Sequence, residues 1–202
     1  IWVNPGEIAG NGVDDDNNGY IDDVNGYDFA DGDANPSDAF GHGTHVAGTI
    51  GAIGDNGIGT VGVNWNVSIM ELKGANASGG LPVSATVEAL NYAVQMGATV
   101  SNHSYGGPGR TRAFEDAIIA AGAAGHIVVC SAGNSTRNND LFPSYPASYP
   151  QDNIIAVAAT DQNDALGTFS NFGATSVDIG APGVNIWSTA PRTASVFYPA
   201  NY

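Results

Sequence analysis

Positive charge is scarce in this chain: 5 Lys and Arg stand against 20 Asp and Glu, a formal net charge of −15 over 202 residues. Phosphate recognition needs clustered cations, so neither nucleic acid nor an anionic membrane surface is an expected partner. Cysteine is nearly absent as well. Cys130 stands alone in the apolar run His126-Ile-Val-Val-Cys-Ser, which rules out an internal disulfide and predicts a buried structural thiol. No apolar stretch approaches the roughly 20 residues that cross a bilayer. No signal peptide opens the chain, and a start at Ile1 rather than Met reads as processing or as a fragment.

What is abundant is small and turn-forming. The 28 glycines, with 43% hydrophobic residues, describe a globular chain of many tight turns and one sizeable core. Half of the acids fall in residues 1–40, and no Lys or Arg precedes Lys73. Crowded carboxylates repel one another unless cations neutralise them. On charge alone, a calcium-binding region and a solvated acidic face both remain open.

Residues 1–40 read as loop, punctuated by Pro5-Gly6, Asn11-Gly12, Asn18-Gly19, Asn25-Gly26 and Asn35-Pro36. From there the texture alternates. Helical spacing predicts helices over 42–53, 83–96 and 111–124, and apolar runs predict strands over 67–73, 99–104, 127–130 and 154–158. The continuous apolar runs 127–130 and 154–158 are of the kind buried on both faces of a parallel sheet. The expected fold is α/β, a doubly wound, mostly parallel sheet with helices on both faces. In such sheets ligands sit beyond the carboxyl ends of the strands, the position of Gly106-Gly-Pro-Gly109 and Ser131-Ala-Gly-Asn134.

The sharpest stretch is Gly41-His-Gly-Thr-His-Val-Ala-Gly48. His42 and His45 share a helical face, which admits a metal pair, although no Cys, Asp or Glu lies between residues 39 and 54 to add a ligand. Close helix packing is a second reading. A general base at a loop-to-helix junction, left accessible by flanking glycines, is a third. Upstream, Asp14-x-Asp16-x-Asn18-Gly19-Tyr20-x-Asp22 follows the first nine places of an EF-hand-type loop; Asn25 replaces the bidentate Glu, and Asp23 stands near to compensate. Hard oxygen ligands at alternate residues make Asp14, Asp16, Asn18, Tyr20 and Asp22 candidate calcium ligands.

The motif His-Gly-Thr-His-Val-Ala-Gly resembles the histidine signature of the subtilisin-like serine proteases. Ser101-Asn-His-Ser-Tyr-Gly-Gly107, Ser131-Ala-Gly-Asn134 and Gly180-Ala-Pro-Gly-Val184 agree with that family in order and spacing, and Tyr145-Pro-Ala147 resembles a family turn with a cis proline bond. The resemblance spans nearly the whole chain. It implies one peptidase domain over residues 1–202, with residues 1–40 as an acidic calcium-binding region and 41–202 as α/β core. It further implies acyl transfer on polypeptide substrates, with His42 as base and the Asn134 carboxamide as oxyanion donor, meeting one reacting carbonyl from opposite sides. Ser104, Tyr105 and Gly106 would pair with extended substrate and, with Ser131, Ala132 and Gly133, wall the pocket before the scissile bond. Asp28, Asp31, Asp33 and Asn35 resemble a second calcium loop, with Ser37 beside them, and residues 54–60 around Asn56 a third. His45, His103 and His126 are expected to be structural.

The family's aspartate and serine motifs are not found here; no Gly-Thr-Ser occurs. The chain is therefore expected to be the central part of a secreted, monomeric, calcium-stabilised endopeptidase, incomplete at both termini and inactive alone. A non-catalytic calcium-binding extracellular module and a pseudoprotease are the alternatives.

Overall fold

The computed structural model describes residues 1–76 and 78–191. Its elements run β1 (Gly26–Asp28), α1 (His42–Gly51), β2 (Glu71–Lys73), α2 (Val83–Gln95), β3 (Val100–His103), α3 (Arg112–Ala123), β4 (Ile127–Ser131), β5 (Ile154–Thr160) and β6 (Ile179–Pro182). Every strand pairing is parallel, and the α/β expectation holds. The strands fall in two sheets, β1-β2 and β3-β4-β5-β6. Two compact units divide the chain, one of residues 1–89 with the segment from 187, the other of residues 90–186.

In the first unit, β1 lies against β2 with Gly26 opposite Glu71 and Asp28 opposite Lys73. Gly26 has φ +134, and a Cβ there would meet the Glu71 carbonyl oxygen at 1.8 Å, so only glycine lets the two backbones pair. This register sets the buried Asp28 carboxylate against the Lys73 ammonium, and Asp31 joins the same ammonium at 3.3 Å. Tyr20, Tyr27 and Phe29 stack edge to face, with centroids 4.8, 5.5 and 5.4 Å apart. Helix α1 buries His45 and Gly48. Gly48 admits the buried Ser188, whose hydroxyl donates to the His45 carbonyl at 2.6 Å.

The second unit begins inside α2. Leu90, Tyr92 and Ala93 of that helix, Phe114, Ala117, Ile118 and Ala121 of α3, and Val128, Cys130, Ala156 and Ala158 of the sheet are its buried core. Burying these side chains contributes about 1.5–3 kcal/mol for each large aliphatic or aromatic one. Burial alternates along β4 and β5: Val128, Cys130, Ile154 and Ala156 are buried, while Val129 and Ile155 are partly exposed. Burial pushes the Cys130 thiol up to about 12, so it remains protonated. Strand β6 ends on Pro182 at the sheet edge, where no ladder hydrogen bond is owed. The Tyr145–Pro146 peptide is cis, as the family resemblance implies.

Candidate active site

His42 is the first residue of α1, and Gly41 before it takes the left-handed backbone at φ +97. Gly41 offers no side chain to the exposed helix start, and Asp38 fills that role. Its carboxylate accepts from the amides of Phe40, Gly41 and Thr44 at 2.9, 2.7 and 2.8 Å, and from the Thr44 hydroxyl at 2.8 Å. Burial works against the Asp38 charge, yet these donors hold its pKa below the usual carboxylate value. His42 is half-buried, and desolvation lowers its pKa against the opposing pull of Asp38. It is therefore neutral at pH 7, the state a general base requires.

The acidic loop of the same unit is stitched by its own side chains. Asp14 accepts from the Asn18 and Gly19 amides at 3.1 and 2.9 Å, and Asp16 from the Asn18 amide at 3.0 Å. Asn18 in turn accepts from the Tyr20 amide at 2.8 Å. One oxygen each of Glu7, Asp14 and Asp16 lie within 4.8 Å of one another. Glu7 Oε1 accepts from the Asp15 amide at 2.8 Å, while Oε2 is buried with no hydrogen-bond partner. An orphaned carboxylate oxygen beside two further carboxylates suits a hard cation. Asp22 is turned elsewhere, capping the amides of Asn11 and Gly12 at 3.1 and 3.0 Å.

In the second acidic loop, Asp28 and Asp31 share the Lys73 ammonium, so part of their charge is already balanced. Asp33 accepts from the Asn35 amide at 2.9 Å, and Asn35 from the Ser37 hydroxyl at 2.5 Å. Asn56 of the third loop accepts from the Ile58 amide at 3.0 Å.

In the second unit the parallel register pairs His103 with Cys130, so β3 and β4 end side by side. Ser104, Tyr105 and Gly106 follow β3, and Ala132, Gly133 and Asn134 follow Ser131 at the end of β4. Asn134 is exposed. Downstream, Gly107 and Tyr145 exchange backbone hydrogen bonds of 3.1 and 2.8 Å.

A model of the subtilase family, peptidase S8, matches residues 6–201. The chain belongs to the subtilase family. It is 43% identical over 169 residues to subtilisin DY of Bacillus licheniformis, which covers 83% of this chain and 60% of the relative. Thermitase of Thermoactinomyces vulgaris is 39% identical over 170 residues, covering 84% of the chain and 59% of the relative. Among solved structures, a cold adapted subtilisin-like serine proteinase superposes with a TM-score of 0.68 at 34% identity, covering 83% of this chain and 57% of the other. The subtilase chain thus spans about three-fifths of the length of these relatives.

This subtilase also carries a polar relay that engages the buried His103 and His126. Tyr105 Oη lies 2.6 Å from His103 Nδ1, and Ser101 Oγ lies 2.7 Å from His103 Nε2 and 2.8 Å from His126 Nε2. His126 Nδ1 lies 2.7 Å from the Ala98 carbonyl. That carbonyl only accepts, so His126 Nδ1 donates to Ala98, while the Ser101 hydroxyl bridges the two rings and the Tyr105 hydroxyl engages His103 on its other side. Burial, with the neighbouring His126, pushes the His103 pKa down to about 4, and burial raises that of Tyr105.

Sequence reading missed several residues here. Glu7 lies seven places before the alternating acids and outside their pattern, so only the folded loop reveals it. Asn139 and Asn171 are both buried and both donate to the Ala132 carbonyl, Asn171 from 39 residues away, and neither belongs to a ligand pattern.

Proposed function

We propose that this chain is the central part of a serine endopeptidase of the subtilisin type, cleaving polypeptides by acyl transfer. Family membership supports the reaction class. The observation that supports the site is the paired ending of β3 and β4, with residues 104–106 following one strand and exposed Asn134 following the other. In this reading a serine attacks the peptide carbonyl, neutral His42 takes its proton and returns it to the leaving amine, and the Asn134 carboxamide donates to the oxyanion. Extended substrate would pair with the backbone of residues 104–106, adding a strand at the sheet's end.

We further propose that calcium binds the first acidic loop through Glu7, Asp14 and Asp16, supported by the unpartnered Glu7 oxygen. The ion would neutralise converging carboxylates and fix the loop that carries them. Asn18, Tyr20 and Asp22 would shape the loop around it. Lys73 weakens the case for a second ion at Asp28 and Asp31, with Asp33 and Asn35 left as lesser donors. Work outside the cell is consistent with a calcium-dependent protease whose single thiol is buried.

The test is hydrolysis of a chromogenic peptide by the full-length protein. Asn134→Ala is expected to lower kcat about 10²–10³-fold with KM nearly unchanged, a magnitude measured on a subtilisin for the equivalent loss. His42→Ala is expected to abolish the pH-dependent rate. Wild-type kcat in either variant refutes the assignment.

A further inference from the structure

The hydrogen bonds flanking Asn134 converge on one distant side chain, Asn171. Its Nδ2 donates to the Ala132 carbonyl and to Asn139 Oδ1, both at 3.0 Å. Its Oδ1 accepts from the amides of Ser135 at 2.8 Å and Arg137 at 3.1 Å. Its backbone N–H donates to the Gly133 carbonyl at 2.7 Å. Asn139 adds a second donor to Ala132 at 2.8 Å. Residues 132, 133, 135 and 137 are thereby tied to Asn171, and Thr136 is tied to Phe169 through a 2.9 Å backbone bond. Asn134 sits exposed in the middle of a loop held on both sides.

A carboxamide has two N–H donors and two acceptor lone pairs, and in Asn171 all four are engaged. The assignment of its oxygen and nitrogen follows, because backbone amides face one end and a carbonyl the other. No other side chain of this size reproduces the set: aspartate lacks the donors and leucine lacks everything. Asn171 and Asn139 are only 3% and 1% exposed, so the bonds linking them to each other and to Ala132 form away from competing water. The fit against the loop is close. Gly133 has φ +111, and a Cβ there would come within 2.6 Å of Asn171 Nδ2.

We infer that Asn171, supported by Asn139, is a positioning residue for the reaction: it holds the loop so that the Asn134 carboxamide is aimed before substrate arrives. The inference rests on the oxyanion role proposed above for Asn134. Preorganised donors stabilise a transition state because they need no rearrangement as charge develops, and a displacement near 1 Å can cost about 10²-fold in rate.

The experiment is a double-mutant cycle on the full-length protein, with peptide hydrolysis and thermal unfolding measured side by side. Asn171→Ala is expected to lower kcat about 10–100-fold while KM changes less than about twofold. In an Asn134→Ala background the same substitution should change kcat less than about threefold, because no carboxamide remains to be misplaced. Equal losses in both backgrounds, or a loss carried by KM, would overturn the inference and leave Asn171 a packing residue. If Asn171→Ala does not fold, Asn139→Ala removes one donor from Ala132 with Asn171 intact and is judged by the same coupling. A wild-type kcat in Asn134→Ala alone refutes the oxyanion role itself and removes the inference with it.

Discussion

Acidification should destabilise this protein through one imidazole more than through any surface charge. His103 is 5% exposed and enclosed by Tyr105, Ser101 and the Phe114 ring of α3, whose centroid is 5.9 Å away. In the unfolded chain it titrates near 6.5; in the fold it stays neutral down to about 4. Between those values the unfolded state binds the extra proton, so stability declines as pH falls through the window and levels off below it. A gap of about 2.5 pKa units at 1.36 kcal/mol each corresponds to about 3 kcal/mol, a large share of a typical 5–15 kcal/mol total. The assay is urea unfolding of the full-length protein at several pH values between 7 and 4, under saturating calcium, beside His103→Gln. Carboxylate contributions cancel because both proteins carry the same acids, and the amide, which does not titrate, leaves the imidazole as the difference. The wild type should lose about 3 kcal/mol more than the variant across the window. Parallel curves would show that His103 titrates normally and that the relay is open to water.

Other expectations follow from single contacts. Lys73→Met leaves the buried Asp28 carboxylate without its cation and should destabilise the fold by about 3 kcal/mol, with unfolding midpoints as the measure. Chelation should lower the melting temperature of the wild type, and Glu7→Gln with Asp14→Asn should abolish that sensitivity; an undiminished response would place the ion elsewhere. Gly133→Ala should cost more activity than stability, since the new methyl meets Asn171 and tilts the loop that carries Asn134.

Periodic segments were legible in the sequence. The three helices end within two residues of their expected limits, because apolar spacing and glycine stops act locally. Strand β2 is shorter than the apolar run that announces it, and β1 and β6 carry no such run at all. Both are short and rich in glycine or proline, and they pair because a neighbouring backbone is present, not because of their own propensity. The site shows the same division. Motif order singled out residues 104–106 and 131–134, while the parallel register of the strands that lead into them comes from β3 and β4 as a pair. Asn171 acts over 39 residues of sequence, and Glu7 and Asn139 over irregular loop spacings, so no periodic rule reaches them.

The solitary thiol at position 130 makes the second sheet a self-reporting structure. Its sulfur is sealed within the unit and far from ionising, so a maleimide dye should react only in molecules whose β4 has come loose. With a single attachment point on the chain, the labelling rate would count opening events directly. Denaturant, inhibitor and metal could then be ranked by how firmly each keeps that strand shut.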